Sequence, residues 1–231
     1  MFSQLFLTAD FFLGGERSMI INILAGGPIS DLPDLSGFNE QDSIWIGVDR
    51  GVLTLLSQGI EPYMAFGDFD SVTVEELAFI NEKINTVRTF KPEKDEPDME
   101  LALNWAIQQK PEKIQLFGGT GGRLDHFFAN VQLLLQTTVD QTPIVMINRQ
   151  NVMFAKRPGE YQLQKLKEKK YISFIPISSS VENLTLKGFK YPLSNRHIPQ
   201  HSTLCISNEL IDDYGNFSFT EGILLVIRSS D

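Results

Sequence analysis

A length of 231 residues suits one large or two small domains and leaves ample chain for a buried core. Hydrophobic content of 42% and charged content of 21% are ordinary for a globular protein, and a net charge of −9 excludes a general nucleic-acid binder, which needs a positive surface. The single cysteine, Cys205, excludes an intrachain disulfide and suits a reducing cytoplasm, and no apolar run approaches the roughly 20 residues that span a bilayer.

Residues 1–18 are rich in Phe and Leu but have no basic segment ahead of Asp10, so they make a poor signal peptide. They are read as an N-terminal extension, and the folded domain is expected to begin at Met19. A strand, Ile20–Leu24, runs into Ala25-Gly26-Gly27-Pro28, a turn that lets backbone approach a phosphate or another loop. A second strand, Ser43–Val48, ends at Asp49-Arg50-Gly51. The helix after it carries Val52, Leu55, Leu56 and Ile60 on one face.

The apolar run Tyr63-Met64-Ala65-Phe66 reads as a strand feeding Gly67-Asp68-Phe69-Asp70-Ser71. Ser71 is expected to cap a helix that opens in Val72-Thr73-Val74-Glu75-Glu76-Leu77 and continues to about Glu82. Asp68 and Asp70 then sit at the carboxyl end of a strand, where open α/β sheets bind ligands. Hard carboxylate oxygens there suit Mg²⁺ with substrate phosphates; the same spacing also serves a capped turn. A short strand over 86–90 leads into Lys91-Pro92-Glu93-Lys94-Asp95-Glu96-Pro97-Asp98. Pro97 suits the first turn of a helix running from Met99 to about Gln109, with Asp95 and Asp98 flanking its N-terminus.

The strand Lys113–Phe117 is followed by Gly118-Gly119-Thr120-Gly121-Gly122-Arg123-Leu124-Asp125-His126. So many glycines imply close backbone approach, and free N–H groups, a helix N-terminus and Arg123 together suit polyphosphate. The loop lacks the Gly-Lys-Ser/Thr of a Walker A sequence. The helix beyond is expected to bury Leu124, Phe127 or Phe128, Val131, and Leu134 or Leu135. Ile144–Ile147 closes the half. Strand–helix alternation over 19–148 predicts an α/β domain, a mostly parallel sheet with helices on both faces.

The pattern changes after Asn148. Short alternating runs at 151–155, 171–177, 181–186, 203–207, 217–219 and 223–227, punctuated by Gly and Pro, predict an all-β sandwich over 149–231. Cys205 lies in one of these runs and reads as a buried structural thiol. Residues 165–170 form a basic, solvated loop or edge.

Four stretches in order, Gly67–Ser71, Lys94–Asp98, Gly118–His126, and Gly188–Asn195 with Ser207-Asn208-Glu209, resemble the thiamine pyrophosphokinase family over essentially the whole chain from Met19; Val48-Asp49-Arg50-Gly51 adds to the likeness. The resemblance implies a Mg-ATP-binding α/β domain, a thiamine-binding β-sandwich, and a homodimer with active sites in clefts between subunits. It implies transfer of the pyrophosphoryl group of ATP to the thiamine hydroxyl, giving thiamine diphosphate and AMP.

By the same resemblance, ATP falls to Asp49, Gly67, Asp68, Ser71, Gly118, Gly119, Thr120, Gly121, Gly122 and Arg123. Mg²⁺ falls to Asp68 and Asp70 with Asp98 or Asp125. Asp68, Asp70, Asp95, Asp98, Arg123 and Asp125 are the expected catalytic set, with Asp95 or Asp98 accepting the alcohol proton. Thiamine falls to Asp98, Tyr191, Ser207 and Asn208, with Tyr191 against its rings. Pro97 stands where the family usually has Thr, so any hydroxyl or N–H contact at that position is missing here. Two other classes fit part of the pattern. An Asp-x-Asp nucleotide-sugar transferase would release UDP or GDP, and a thiamine or nucleotide sensor would bind without turnover.

Overall fold

A computed structural model describes residues 19–70, 72–84, 87–89 (backbone alone), 96–136 and 142–231. The chain separates into two compact units, the first ending at Arg149 and the second running from Gln150 to Asp231. The N-terminal extension, Ser71 and Asp95 lie outside the described residues.

The first unit alternates strands and helices: β1 (Ile20–Leu24), β2 (Ser43–Val48), α1 (Gly51–Ser57), β3 (Met64–Gly67), α2 (Val74–Lys83), β4 (Val87–Thr89), α3 (Asp98–Gln108), β5 (Lys113–Phe117), α4 (Leu124–Leu133) and β6 (Ile144–Ile147). Its strands lie in the order β6-β5-β1-β2-β3-β4, every pair parallel. The strands are near-continuous apolar runs because both sheet faces are covered. On one face Val52 of α1 and Ile80 of α2 cluster with Ala65, Phe69 and Ile84. On the other, Trp105 of α3 meets Phe66 of β3 with ring centroids 6.4 Å apart.

The chain runs outward from β1 to β4 and then returns to β5 on the other side of β1. The gap above the carboxyl ends of β1 and β5 is thus the sheet's topological switch point, where this architecture binds ligands.

Two expectations change here. The N-cap of α2 is Thr73, not Ser71: Thr73 Oγ1 accepts from the Glu76 amide at 3.2 Å and Glu76 Oε2 accepts from the Thr73 amide at 2.8 Å. Thr-x-x-Glu supplies both halves of a capping box, whereas three residues after Ser71 stands Val74. In α4, Leu124 is 71% exposed rather than buried, and of the Phe127–Phe128 pair the second is 63% exposed while the first is half-buried. The fully buried positions of that helix are Val131 and Leu133, both in its last turn.

The second unit is a β-sandwich. One antiparallel sheet runs β12 (Asn208–Glu209), β9 (Tyr171–Pro176), β14 (Leu224–Ser229), β7 (Asn151–Lys156); the other runs β11 (Leu193–Pro199), β10 (Ser180–Lys187), β13 (Tyr214–Phe219), β8 (Gly159–Gln164). Phe174 of one sheet packs on Phe217 of the other at 5.1 Å between centroids, with Phe189 edge-on to Phe174 at 5.5 Å. Strands β8 and β11 fall outside the alternating runs. They are the two edges of their sheet, and each buries a single apolar residue, Leu163 and Ile198. Residues 203–207, expected as a strand, form a turn, although the Cys205 carbonyl still accepts from the Phe174 amide at 2.9 Å.

Candidate functional site

Three carboxylates converge at the carboxyl edge of the parallel sheet. Asp49 follows β2, Asp68 follows β3, and Asp98 is the first residue of α3. One oxygen from each lies within 4.8 Å of the other two, and all three side chains are half-buried. The ladder extends one residue past β2, since the Asp49 amide donates to the Phe66 carbonyl at 2.9 Å. Asp49 then turns out of the strand in the left-handed region, φ 49°. Gly67 lies beside it, and a Cβ at that position would collide with Asp49 Oδ1. Asp98 opens α3, so its side chain stands at the end of the helix where the backbone amides point outward.

The backbone after Asp68 is set by Phe69. Its φ of 56° drops the ring into the core, 4% exposed, and leaves Asp68 and Asp70 on the outer side of the turn. The Asp70 amide donates to Asp68 Oδ1 at 3.1 Å. Asp70 itself is exposed and stands outside the three-carboxylate group.

Three hard oxygen donors gathered this closely repel one another unless a cation joins them. Oxygens on opposite sides of a Mg²⁺ are about 4.2 Å apart, so a group already gathered within 4.8 Å needs little motion to hold one. The donor set therefore fits the ion. Asp49 is the member that the family resemblance assigned to nucleotide rather than metal. Its only signal in the sequence is an Asp at the end of the strand that pairs with β3.

The Gly-rich loop after β5 is packed against the turn after β1. Gly118, at φ 63°, faces the Ala25 carbonyl with no room for a side chain, and the Gly27 amide donates to the Gly118 carbonyl at 3.1 Å. Gly121, at φ 78°, lies against Pro28 and the Asp31 carboxylate. The two loops flanking the switch point thus brace each other, while Gly122 faces open space. Thr120 is 6% exposed and turned inward, its hydroxyl accepting from Asn148 Nδ2 at 2.8 Å; Asn130 Nδ2 donates to the Gly119 carbonyl at 3.0 Å.

Arg123 and Asp125, at the foot of α4, form a bidentate pair of 2.5 and 3.1 Å. The Arg123 guanidinium, helped by the His126 amide, pulls the Asp125 carboxyl down to about 2. The Arg123 charge is held correspondingly firmly. Both side chains are exposed, and Asp125 is not part of the carboxylate group.

In the second unit a shallow niche of about 60 Å³ is lined by Leu186, Tyr191, Leu193, Leu204, Ile206 and Asn208, with Cys205 at its base. Tyr191, Leu204 and Ile206 are exposed, whereas Cys205 is buried and its thiol is pushed up to about 11 by that burial. Ser207 takes a left-handed φ of 56° and its amide donates to Ser173 Oγ at 3.0 Å. Tyr191 and Asn208, from separate stretches of the sequence, therefore line one niche, and Ser207 precedes Asn208 with its amide turned to Ser173.

Comparison with known proteins converges on one family. Residues 35–146 match the model of the thiamin pyrophosphokinase catalytic domain, and residues 160–224 match that of its vitamin B1 binding domain. Thiamine pyrophosphokinase of Bacillus subtilis (strain 168) is 51% identical over 211 residues, which are 91% of this chain and 99% of that protein. The crystal structure of thiamine pyrophosphokinase from Bacillus subtilis superposes with a TM-score of 0.86 at 50% identity, covering 92% of this chain and 99% of the other. That from Geobacillus thermodenitrificans gives 0.86 at 50% identity, covering 92% and 98%. With both of its domain models matched and half its residues shared with a full-length relative, the chain belongs to the thiamine pyrophosphokinase family.

Proposed function

We propose that the protein transfers the pyrophosphoryl group of ATP to the hydroxyl of thiamine, giving thiamine diphosphate and AMP. The observation that carries this reading is the Asp49–Asp68–Asp98 group at the carboxyl edge of the sheet, in a chain of this family. Asp49, Asp68 and Asp98 would hold Mg²⁺, which would neutralise phosphate charge when bound. Asp70 and Asp125 would join the phosphate side of the site once nucleotide arrives.

In-line attack on the β-phosphorus asks mainly for positioning and charge balance. The amides around Gly122, a residue that faces open space, and the Arg123 guanidinium would take the phosphate oxygens. Thr120 would support that loop from within, consistent with its inward bond to Asn148. A carboxylate of the 95–98 loop, Asp95 or Asp98, would accept the alcohol proton. Tyr191 would lie against the thiamine rings, where a face-on cation–π contact is worth about 0.5–2 kcal/mol, with Ser207 and Asn208 beside it.

A homodimer, with each active site completed by both copies, is part of this reading. The exposed Leu124 and Phe128 on α4 supply an apolar surface for such a contact. A cytoplasmic enzyme is in keeping with the lone free thiol. Among the described residues no helix is long and apolar enough to cross a membrane.

Product analysis after incubation with Mg-ATP and thiamine is the test. AMP with thiamine diphosphate is expected in equal amounts. ADP with thiamine monophosphate would make the protein a simple kinase and overturn the reading.

A further inference from the structure

We propose that Asn208 is a positioning residue for Tyr191 and does not itself touch thiamine. The inference rests on the reading above, in which Tyr191 stacks on the substrate rings.

Tyr191 is 59% exposed, and it follows Gly188-Phe189-Lys190 in the connection between β10 and β11. A connection of this kind holds an aromatic in one place only if its backbone is tied down. Here a single side chain ties it at both polar groups. The Tyr191 amide donates to Asn208 Oδ1 at 3.0 Å, and Asn208 Nδ2 donates to the Tyr191 carbonyl at 2.8 Å. The Asn208 amide thus stands in for the neighbouring strand that this residue lacks. The orientation of the amide follows from its partners, since only the oxygen accepts from an N–H and only the nitrogen donates to a carbonyl.

The same oxygen also accepts from the Glu209 amide at 2.9 Å. With Oδ1 accepting two bonds, Nδ2 committed to one, and the residue 2% exposed, Asn208 has little left to offer a ligand. Its surroundings reinforce the clamp. The Lys190 amide donates to the Glu209 carbonyl at 2.8 Å, and the Ile211 amide donates to the Gly188 carbonyl at 3.1 Å. The Glu209 carboxylate holds Lys190 Nζ at 3.0 Å and Lys170 Nζ at 3.4 Å. Residues 208–211 therefore grip residues 188–191 from end to end, with Asn208 at the point where the aromatic projects.

Buried hydrogen bonds of this kind fix a geometry that a mobile loop would sample only part of the time. An aromatic present in its binding position for a fraction of the time weakens apparent affinity by that fraction. Loss of Asn208 is then expressed through thiamine, not ATP, and only while Tyr191 is there to be positioned.

The experiment is a double-mutant cycle on the intact enzyme, reading KM for thiamine and KM for ATP, with thermal melting to confirm folding. Tyr191→Ala is expected to raise KM for thiamine about ten-fold and KM for ATP less than about two-fold. Asn208→Ala is expected to raise KM for thiamine by a comparable factor. In the Tyr191→Ala background, Asn208→Ala is expected to add less than about two-fold. If Asn208→Ala does not fold, Asn208→Asp takes its place. The carboxylate keeps both bonds to the amides of Tyr191 and Glu209 but sets an oxygen against the Tyr191 carbonyl in place of a donor, so a comparable rise with the same dependence on Tyr191 is expected.

Effects that multiply in the double variant would mean that Asn208 contacts the substrate directly, and would overturn the proposal. So would an unchanged KM for thiamine in the single Asn208 variant. If Tyr191→Ala alone leaves KM for thiamine unchanged, it is the stacking role of Tyr191 that fails, and the proposal falls with it.

Discussion

Gly67 leaves the space that the Asp49 carboxylate occupies: a Cβ at residue 67 would run into Asp49 Oδ1, across the β2–β3 pair. The two residues sit at the ends of paired strands, so no detour of the backbone relieves the clash. Gly67 also holds φ 155°, a conformation that L-residues rarely adopt. Gly67→Ala is therefore expected to shift Asp49 out of the carboxylate group and lower kcat about 100-fold, the scale of a 1 Å misplacement near reacting atoms. Steady-state kinetics with a circular-dichroism check of folding would measure it; activity within about three-fold of the parent would show that Asp49 need not stand there.

The Arg123–Asp125 pair gives a pH signature. The Asp125 carboxyl titrates at about 2 in the folded protein against its ordinary 3.8. Between those values the folded chain binds fewer protons than the unfolded one. The stability that this pair contributes is thus fully present above about pH 3.8 and is lost as the pH falls through about 2. Carboxyl-carbon NMR should find the Asp125 midpoint near that low value, and Arg123→Gln should move it up toward the ordinary one. An Asp125 midpoint that ignores Arg123 would dissolve the pair.

Thr120 turns away from solvent to accept from Asn148, so its hydroxyl acts on the loop's stability. Thr120→Val keeps the shape and takes that acceptor from the half-buried Asn148 amide. The expected loss is about 0.5–1.5 kcal/mol in urea denaturation, together with a raised KM for ATP as the loop loosens. A stability unchanged by the substitution would show that the Thr120–Asn148 bond carries little.

Burial lifts the Cys205 thiol from its ordinary 9.0 to about 11. At pH 8 its reaction with iodoacetamide should be about 100-fold slower in the folded protein than in urea, following the thiolate fraction and access. Fast alkylation without unfolding would mean that the turn over 203–207 opens readily.

Much of the first unit is legible in the sequence because near-continuous apolar runs such as Ile20–Leu24 and Ile144–Ile147 can only be strands covered on both faces or buried helix, and their length decides. The edge strands β8 and β11 are not legible, since a strand with solvent on one side and no neighbour beyond it carries few apolar residues. Residues 203–207 mislead for the opposite reason: Leu204, Cys205 and Ile206 are apolar to line a niche, not to pair in a ladder. The same divide runs through the site. Asp68 and Asp98 stand out beside Gly and Pro in recognisable loops, but membership of Asp49 in their group depends on the pairing of β2 with β3, which no spacing along the chain records. Likewise the glycines of the loop after β5 announce a close approach without saying that what approaches is the backbone of residues 25–27 and the side chains of Pro28 and Asp31.

The most direct test is a titration of Mn²⁺, as a paramagnetic substitute for Mg²⁺, into the protein with a non-hydrolysable ATP analogue, followed by electron paramagnetic resonance. If Asp49, Asp68 and Asp98 hold the ion, Asp49→Asn binds Mn²⁺ at least ~10-fold more weakly than the parent while melting at the same temperature. Unchanged Mn²⁺ affinity in Asp49→Asn would contradict a metal centre built from these three carboxylates.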